Sequence, residues 1–144
     1  WADIVKLTEI GKNEERLVFD LFRISHHCSY RSLSEEKGKN ETTPREEIVR
    51  LFEKGKKDCI LISSSWEIPA ENTDQPPHFQ TKAYYKKVVE NKGSGNFYVT
   101  MEHYDKEHPK PIIVETGVFG FTVEKAAGMR VAAEVTRRQP PRVG

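Results

Sequence analysis

Hydrophobic positions along this chain follow two periods, helical before Gly55 and alternating after Cys59. In residues 2–10, Ile4 and Leu7, with Val5 and Ile10 less regularly placed, make a short amphipathic pattern that stops at Gly11. Asn13 offers an N-cap, and Glu14 and Glu15 suit the positive end of a helix. Leu17, Val18, Leu21, Phe22 and Ile24 then form one apolar stripe, which predicts a second helix ending near Ser25. His26-His27-Cys28-Ser29-Tyr30 lacks that period and predicts a short extended piece. Residues 34–42 are polar around Gly38 and read as an exposed loop. Thr43 as N-cap, Pro44 at the first helical position and Glu46 closing a capping box predict a third helix. Ile48, Val49, Leu51 and Phe52 are its buried stripe, and Gly55 stops it.

Alternation then predicts five strands, over residues 59–68, 78–90, 96–105, 111–124 and 129–138. One face of the sheet collects Ile60, Trp66, Phe79, Phe97, Val99, Phe121 and Val131 as a core. The other carries Tyr84, Tyr98, Tyr104, Val114, Thr116 and Val118, with Lys82, Lys86 and Glu102 among them. Amphipathic rings mixed with Thr and Val suit a face covered by another chain.

Composition narrows the functional classes. The 144 residues fit one domain, residues 1–138, with a tail at residues 139–144 where Gln139-Pro140-Pro141 leaves the sheet. A hydrophobic fraction of 36% against 31% charged residues gives a thin core and a heavily solvated surface. The net charge of +1 argues against a body that traps nucleic acid electrostatically. No apolar run approaches the roughly 18 residues of a membrane span. A chain that opens on Trp1 rather than Met reads as a processed product or an excised domain. The triplet Asn40-Glu41-Thr42 is a glycosylation sequon and, with the cysteine pair, leans toward an extracellular setting.

Candidate chemistry is sparse. Adjacent His26 and His27 point in different directions, so they do not make the i, i+4 pair of a helical metal site. A helix-end histidine favoured by the dipole is the simpler reading. Asp20 lies one residue off the apolar stripe, and beside His26 or His27 it would form an acid–base pair. Tyr30, Trp66 and His103 complete the set expected near the space between helices and sheet, with no pair of them meeting around an open cavity. Ser63-Ser64-Ser65 lacks a nucleophile elbow. Cys28 and Cys59 lack metal-site spacing; they read as two buried thiols or as one disulfide closing a loop of about 30 residues. No metal and no cofactor are expected. Lys82-Ala83-Tyr84-Tyr85-Lys86-Lys87, with Arg130, Arg137, Arg138 and Arg142, is the feature favouring nucleic acid, though edge-strand lysines explain the first run equally.

The order of elements resembles the nuclear transport factor 2-like fold: helices first, an extended piece near Tyr30, a helix within TTPREEIVRLFEKG, then a long meander. A cystatin-like helix gripped by a sheet has the same order. The resemblance implies an α+β domain in which a curved five-strand antiparallel sheet wraps a helical layer into a cone, with frequent dimerisation through the outer face. The expected function is therefore non-enzymatic binding of a partner protein, most simply a second copy, through Tyr84, Tyr98, Tyr104, Val114, Thr116 and Val118. The alternative is a small-molecule carrier or enzyme using the cone pocket, and the third reading is a nucleic-acid binder.

Overall fold

The computed structural model describes residues 1–25, 27–118 and 120–124. At its centre β1 (Phe19–Ile24), β2 (Gly55–Ser63) and β3 (Asn96–Val99) form a parallel sheet in the order β1-β2-β3. Parallel neighbours need long crossovers, and these are helical: α2 (Glu46–Glu53) joins β1 to β2, and α3 (Phe79–Lys92) joins β2 to β3. α1 (Ala2–Ile10) precedes the sheet, and β4 (Val114–Gly117) pairs with β5 (Gly120–Val123) as a separate antiparallel hairpin. Short 3-10 turns occupy Glu14–Leu17, Tyr30–Ser32 and Thr100–Glu102.

The five-strand antiparallel meander is thus not the architecture, although the chain is α+β as expected. Nor is it the cone of a nuclear transport factor 2-like or cystatin-like sheet. Two segments account for the difference. Residues 78–90, read as a strand, form most of α3, because Thr81, Tyr84, Tyr85, Val88 and Val89 recur at helical spacing and face inward. Gly93 ends this helix at φ +84, a left-handed conformation that glycine adopts without a Cβ penalty. In the other direction, residues 19–24, read as helix, form β1. A parallel strand is apolar on both faces and so lacks clean alternation, and its aromatic residues and Ile24 fit a pleated surface. The extended piece expected at Tyr30 is a 3-10 turn instead.

Smaller shifts follow the same logic. α2 starts at Glu46 after Arg45 rather than at Pro44, and no side chain caps it. The strand after it begins at Gly55 and stops at Ser63, which leaves Trp66 on a loop and 73% exposed. β3 ends at Val99 where residue 105 was expected. The segment read as one fourth strand folds back on itself as β4 and β5. The expected fifth strand, residues 129–138, and the tail lie outside the described residues.

Register assigns the two faces of the sheet. Phe22 pairs with Leu61 and Leu61 with Phe97, so these side chains share a face with Ile24, Ser63 and Val99. Phe52 of α2 packs there, its ring 5.0 Å from that of Phe22 and 5.3 Å from that of Tyr85 on α3. Tyr85 in turn stacks on Phe97 at 6.2 Å. Both crossover helices therefore cover this one face. The opposite face carries Leu21, Arg23, Ile60, Ile62, Asn96 and Tyr98, of which only Ile60 is buried. The hairpin reaches across part of it, with β5 against β1.

Candidate binding cleft at the edge of the parallel sheet

β3 is an outer strand, and among the described residues it pairs with β2 alone. A cleft of about 960 Å³ runs along this edge, lined by all four β3 residues, Asn96, Phe97, Tyr98 and Val99. Phe121, Thr122 and Val123 of β5 face them, followed by Glu124. Lys82 and Lys86, four residues apart on α3 and so on one side of that helix, enter from the helical layer. Asp58 and Ile60 of β2 and the segment Glu102-His103-Tyr104 complete the walls.

The walls are held by polar contacts. Thr100 Oγ1 accepts the Ser65 amide at 3.1 Å and donates to the Ser65 carbonyl at 3.0 Å, which ties the loop after β3 to the loop after β2. Lys82 Nζ donates to both oxygens of Glu102, at 2.9 and 2.8 Å, and Glu102 Oε1 also accepts the Ile68 amide at 2.8 Å. Burial pushes the Glu102 carboxyl up, but the bonds from Lys82 and Ile68 outweigh it and hold it below the usual carboxylate value. Tyr104, at φ +56, donates its hydroxyl to the Glu124 carbonyl and straps the end of the hairpin to the loop after β3. Its ring covers His103 at 3.9 Å. His103 Nε2 is buried with no hydrogen-bond partner among the described residues, and burial lowers the pKa of the ring. Burial also raises the Tyr98 hydroxyl, with Tyr104 adding to the effect.

Open α/β sheets usually bind ligands where the strand order reverses and adjacent loops part at the carboxyl edge. Among the described residues the order β1-β2-β3 contains no reversal, so the sheet has no switch-point crevice of that kind. The cleft of about 960 Å³ lies along an edge strand instead.

The expected site residues are scattered. Asp20, at the start of β1, pairs with Lys56 at 3.0 Å. His27 follows the far end of that strand, and its Nδ1 donates to the Ser64 carbonyl at 2.5 Å. Strand geometry puts Asp20 and Ile24 about 13 Å apart, so Asp20 and His27 make no acid–base pair. His26 lies outside the described residues. Tyr30 meets His78 edge-on at 5.2 Å, away from the cleft. His103 alone of the set lines the cleft. Of the six expected interface residues, Tyr84 is buried on α3, Tyr98 and Tyr104 line the cleft, and Val114, Thr116 and Val118 belong to the hairpin. They do not share a sheet face.

Cys28 and Cys59 are both buried and unbridged. The parallel register explains why: Cys28 lies beyond the end of β1 near Ser63, whereas Cys59 sits four residues earlier on β2, about 13 Å along the strand. A disulfide needs Cα atoms within about 7 Å. Burial pushes the Cys28 thiol up to about 12, which removes it as a nucleophile at neutral pH. Asn40 is exposed, but the Thr42 hydroxyl of its sequon is buried and donates to the Lys37 carbonyl at 2.7 Å.

Reading residues 78–90 as a strand hid the cleft. Helical spacing around Tyr84 and Tyr85 was the available signal, and it would have put Lys82 and Lys86 on one side of a helix. Among the described residues no helix is long and apolar enough to cross a membrane, and no cluster of ligating side chains suits a metal ion. In comparison with known proteins, the chain matches no family model, no curated protein and no solved structure.

Proposed function

We propose that this protein is a binding module that takes an extended peptide into the cleft along β3. The observation that carries the reading is that every residue of an edge strand lines one continuous opening. An edge strand presents unpaired amide and carbonyl groups, and a peptide that adds to it satisfies them while side-chain pockets supply selectivity. Tyr98 and Phe121 offer rings for an apolar residue of the peptide. Lys86 is exposed and has no carboxylate partner among the described residues, whereas Lys82 is taken by Glu102. Asp58 accepts the Ser94 hydroxyl and keeps its negative charge. Lys86, unpaired among the described residues, is placed to meet an acidic residue next to the apolar one of the peptide.

Selection of a random peptide library against the full chain tests this. Enriched peptides combining acidic and apolar positions, with binding lost on Lys86→Glu, support it. A selection that enriches nothing, or peptides indifferent to Lys86→Glu, removes it. A small ligand, which the unpaired His103 Nε2 favours, becomes the better reading if small acids compete with one another but no peptide binds.

A further inference from the structure

We propose a second site, independent of the β3 cleft: a pocket at the carboxyl ends of β1 and β2 that binds a phosphoryl group. It is a hollow of about 260 Å³ lined by Arg23, Ile24, Ser25, His27 and Ser64, and it shares no residue with the cleft. That volume is small for a whole cofactor and suits a single charged group.

The donors in this pocket are already arranged. Arg23 Nε donates to Ser64 Oγ at 3.1 Å, which fixes the plane of the guanidinium and leaves its two terminal amino groups for a ligand. Arg23 has no carboxylate partner among the described residues, and no carboxylate lines the pocket. Ser25 Oγ accepts from Trp1 Nε1 at 3.0 Å. Each serine hydroxyl therefore already accepts one hydrogen bond from a neighbour, and its own proton is available to a ligand. His27 Nδ1 donates to the Ser64 carbonyl, so only its Nε2 remains for the ligand.

A guanidinium fork and two hydroxyl donors converging on one small space match the three terminal oxygens of a phosphoryl group better than the two of a carboxylate. The backbone supports the same conclusion. His27 and Cys28 are consecutive non-glycine residues at φ 52 and 62, a conformation uncommon for either and held here by the Ser64 carbonyl and by the His78 amide on the Cys28 carbonyl. Such strain is retained most often where a binding site needs it.

Titration calorimetry of the full chain with inorganic phosphate, and separately with acetate, tests the assignment. The expected result is saturable binding of one phosphate per chain and weaker binding of acetate. Arg23→Ala should weaken phosphate binding about tenfold or more, since a bidentate charged contact is lost. Arg23→Lys should restore only part of it, because the charge returns without the fork. Amide shifts of Ser25, His27 and Ser64 on adding phosphate to the unmodified chain give a readout that needs no variant. No saturable phosphate binding, acetate binding as tight as phosphate, or phosphate binding unchanged by Arg23→Ala would each overturn the proposal. None of these results bears on the β3 cleft.

Discussion

Lys82 and Glu102 fasten α3 to the turn that follows β3, with Nζ 2.8 Å from Oε2 and both side chains largely out of solvent. The same carboxylate holds the Ile68 amide, so one residue joins three segments: the helix, the loop after β2 and the turn after β3. The shape of the cleft depends on that junction.

Replacing Glu102 by Gln leaves the Lys82 ammonium half-buried without a counter-charge. The expected cost is about 1–3 kcal/mol, below that of a fully buried pair because both groups keep some solvent. Chemical denaturation reads it directly. Adding Lys82→Met to Glu102→Gln should recover part of the loss, because the stranded charge is then gone. A double variant as unstable as the sum of the two single ones would show that the pair is not coupled.

Acid should destabilise the fold in two stages. His78 and His103 both sit below their ordinary value of 6.5, chiefly through burial, so protonation favours the unfolded chain. Their contribution is complete above about 6.5 and is lost as pH falls through the lowered folded values. Glu102 is also held below its ordinary value of 4.5, and its contribution is complete above that value and is lost further down. The midpoint of urea unfolding should therefore fall between pH 7.5 and 5.5, on the order of the histidine range, and again below the carboxylate range. A midpoint flat down to pH 5 would contradict the first stage.

The aromatic centre was legible in the sequence, but its partners were not. Phe52 was placed correctly inside the helix before Gly55, whose period is plainly helical, and α1 was read within its observed limits although Ile4 and Leu7 of its expected stripe are exposed and Val5 is buried. Residues 19–24 and 79–90 were exchanged in type. The first mixes apolar residues on both faces, as a parallel strand does. The second is rich in Tyr and Val, residues that favour strands until their spacing is weighed. One exchange turned a parallel sheet with crossovers into an apparent meander, and the cleft along β3 vanished with it. Contacts such as Arg23 with Ser64, 41 residues apart, leave no mark on local pattern.

Phe52 touches rings from two elements, at 5.0 Å from Phe22 on β1 and at 6.0 Å from Tyr84 and 5.3 Å from Tyr85 on α3, and it is buried. Phe52→Ala should cost about 3–5 kcal/mol, a large part of the stability of a domain this size. Phe52→Leu keeps most of the volume and should cost less. Thermal and urea unfolding of both variants check the order, and equal costs would show that the ring contacts carry little.

Both thiols should be silent in the folded protein and appear together on unfolding. Cys28 and Cys59 have no exposed surface, and burial raises both of their pKa values. A thiol reagent should titrate two groups in denaturant without reductant, and react slowly in buffer. A mass two hydrogens lower in the unreduced chain would reveal a bridge and contradict the parallel register.

Backbone amide mapping by NMR, with a peptide selected against the full chain, tests the binding cleft most directly. Addition of the peptide should shift the amides of Phe97, Tyr98 and Val99 most, together with those of Phe121 and Thr122, and should slow hydrogen exchange along β3. Shifts confined to the exposed apolar stripe Ile4, Leu7 and Ile10 of α1, with β3 unchanged, would contradict the assignment of the cleft as the binding site.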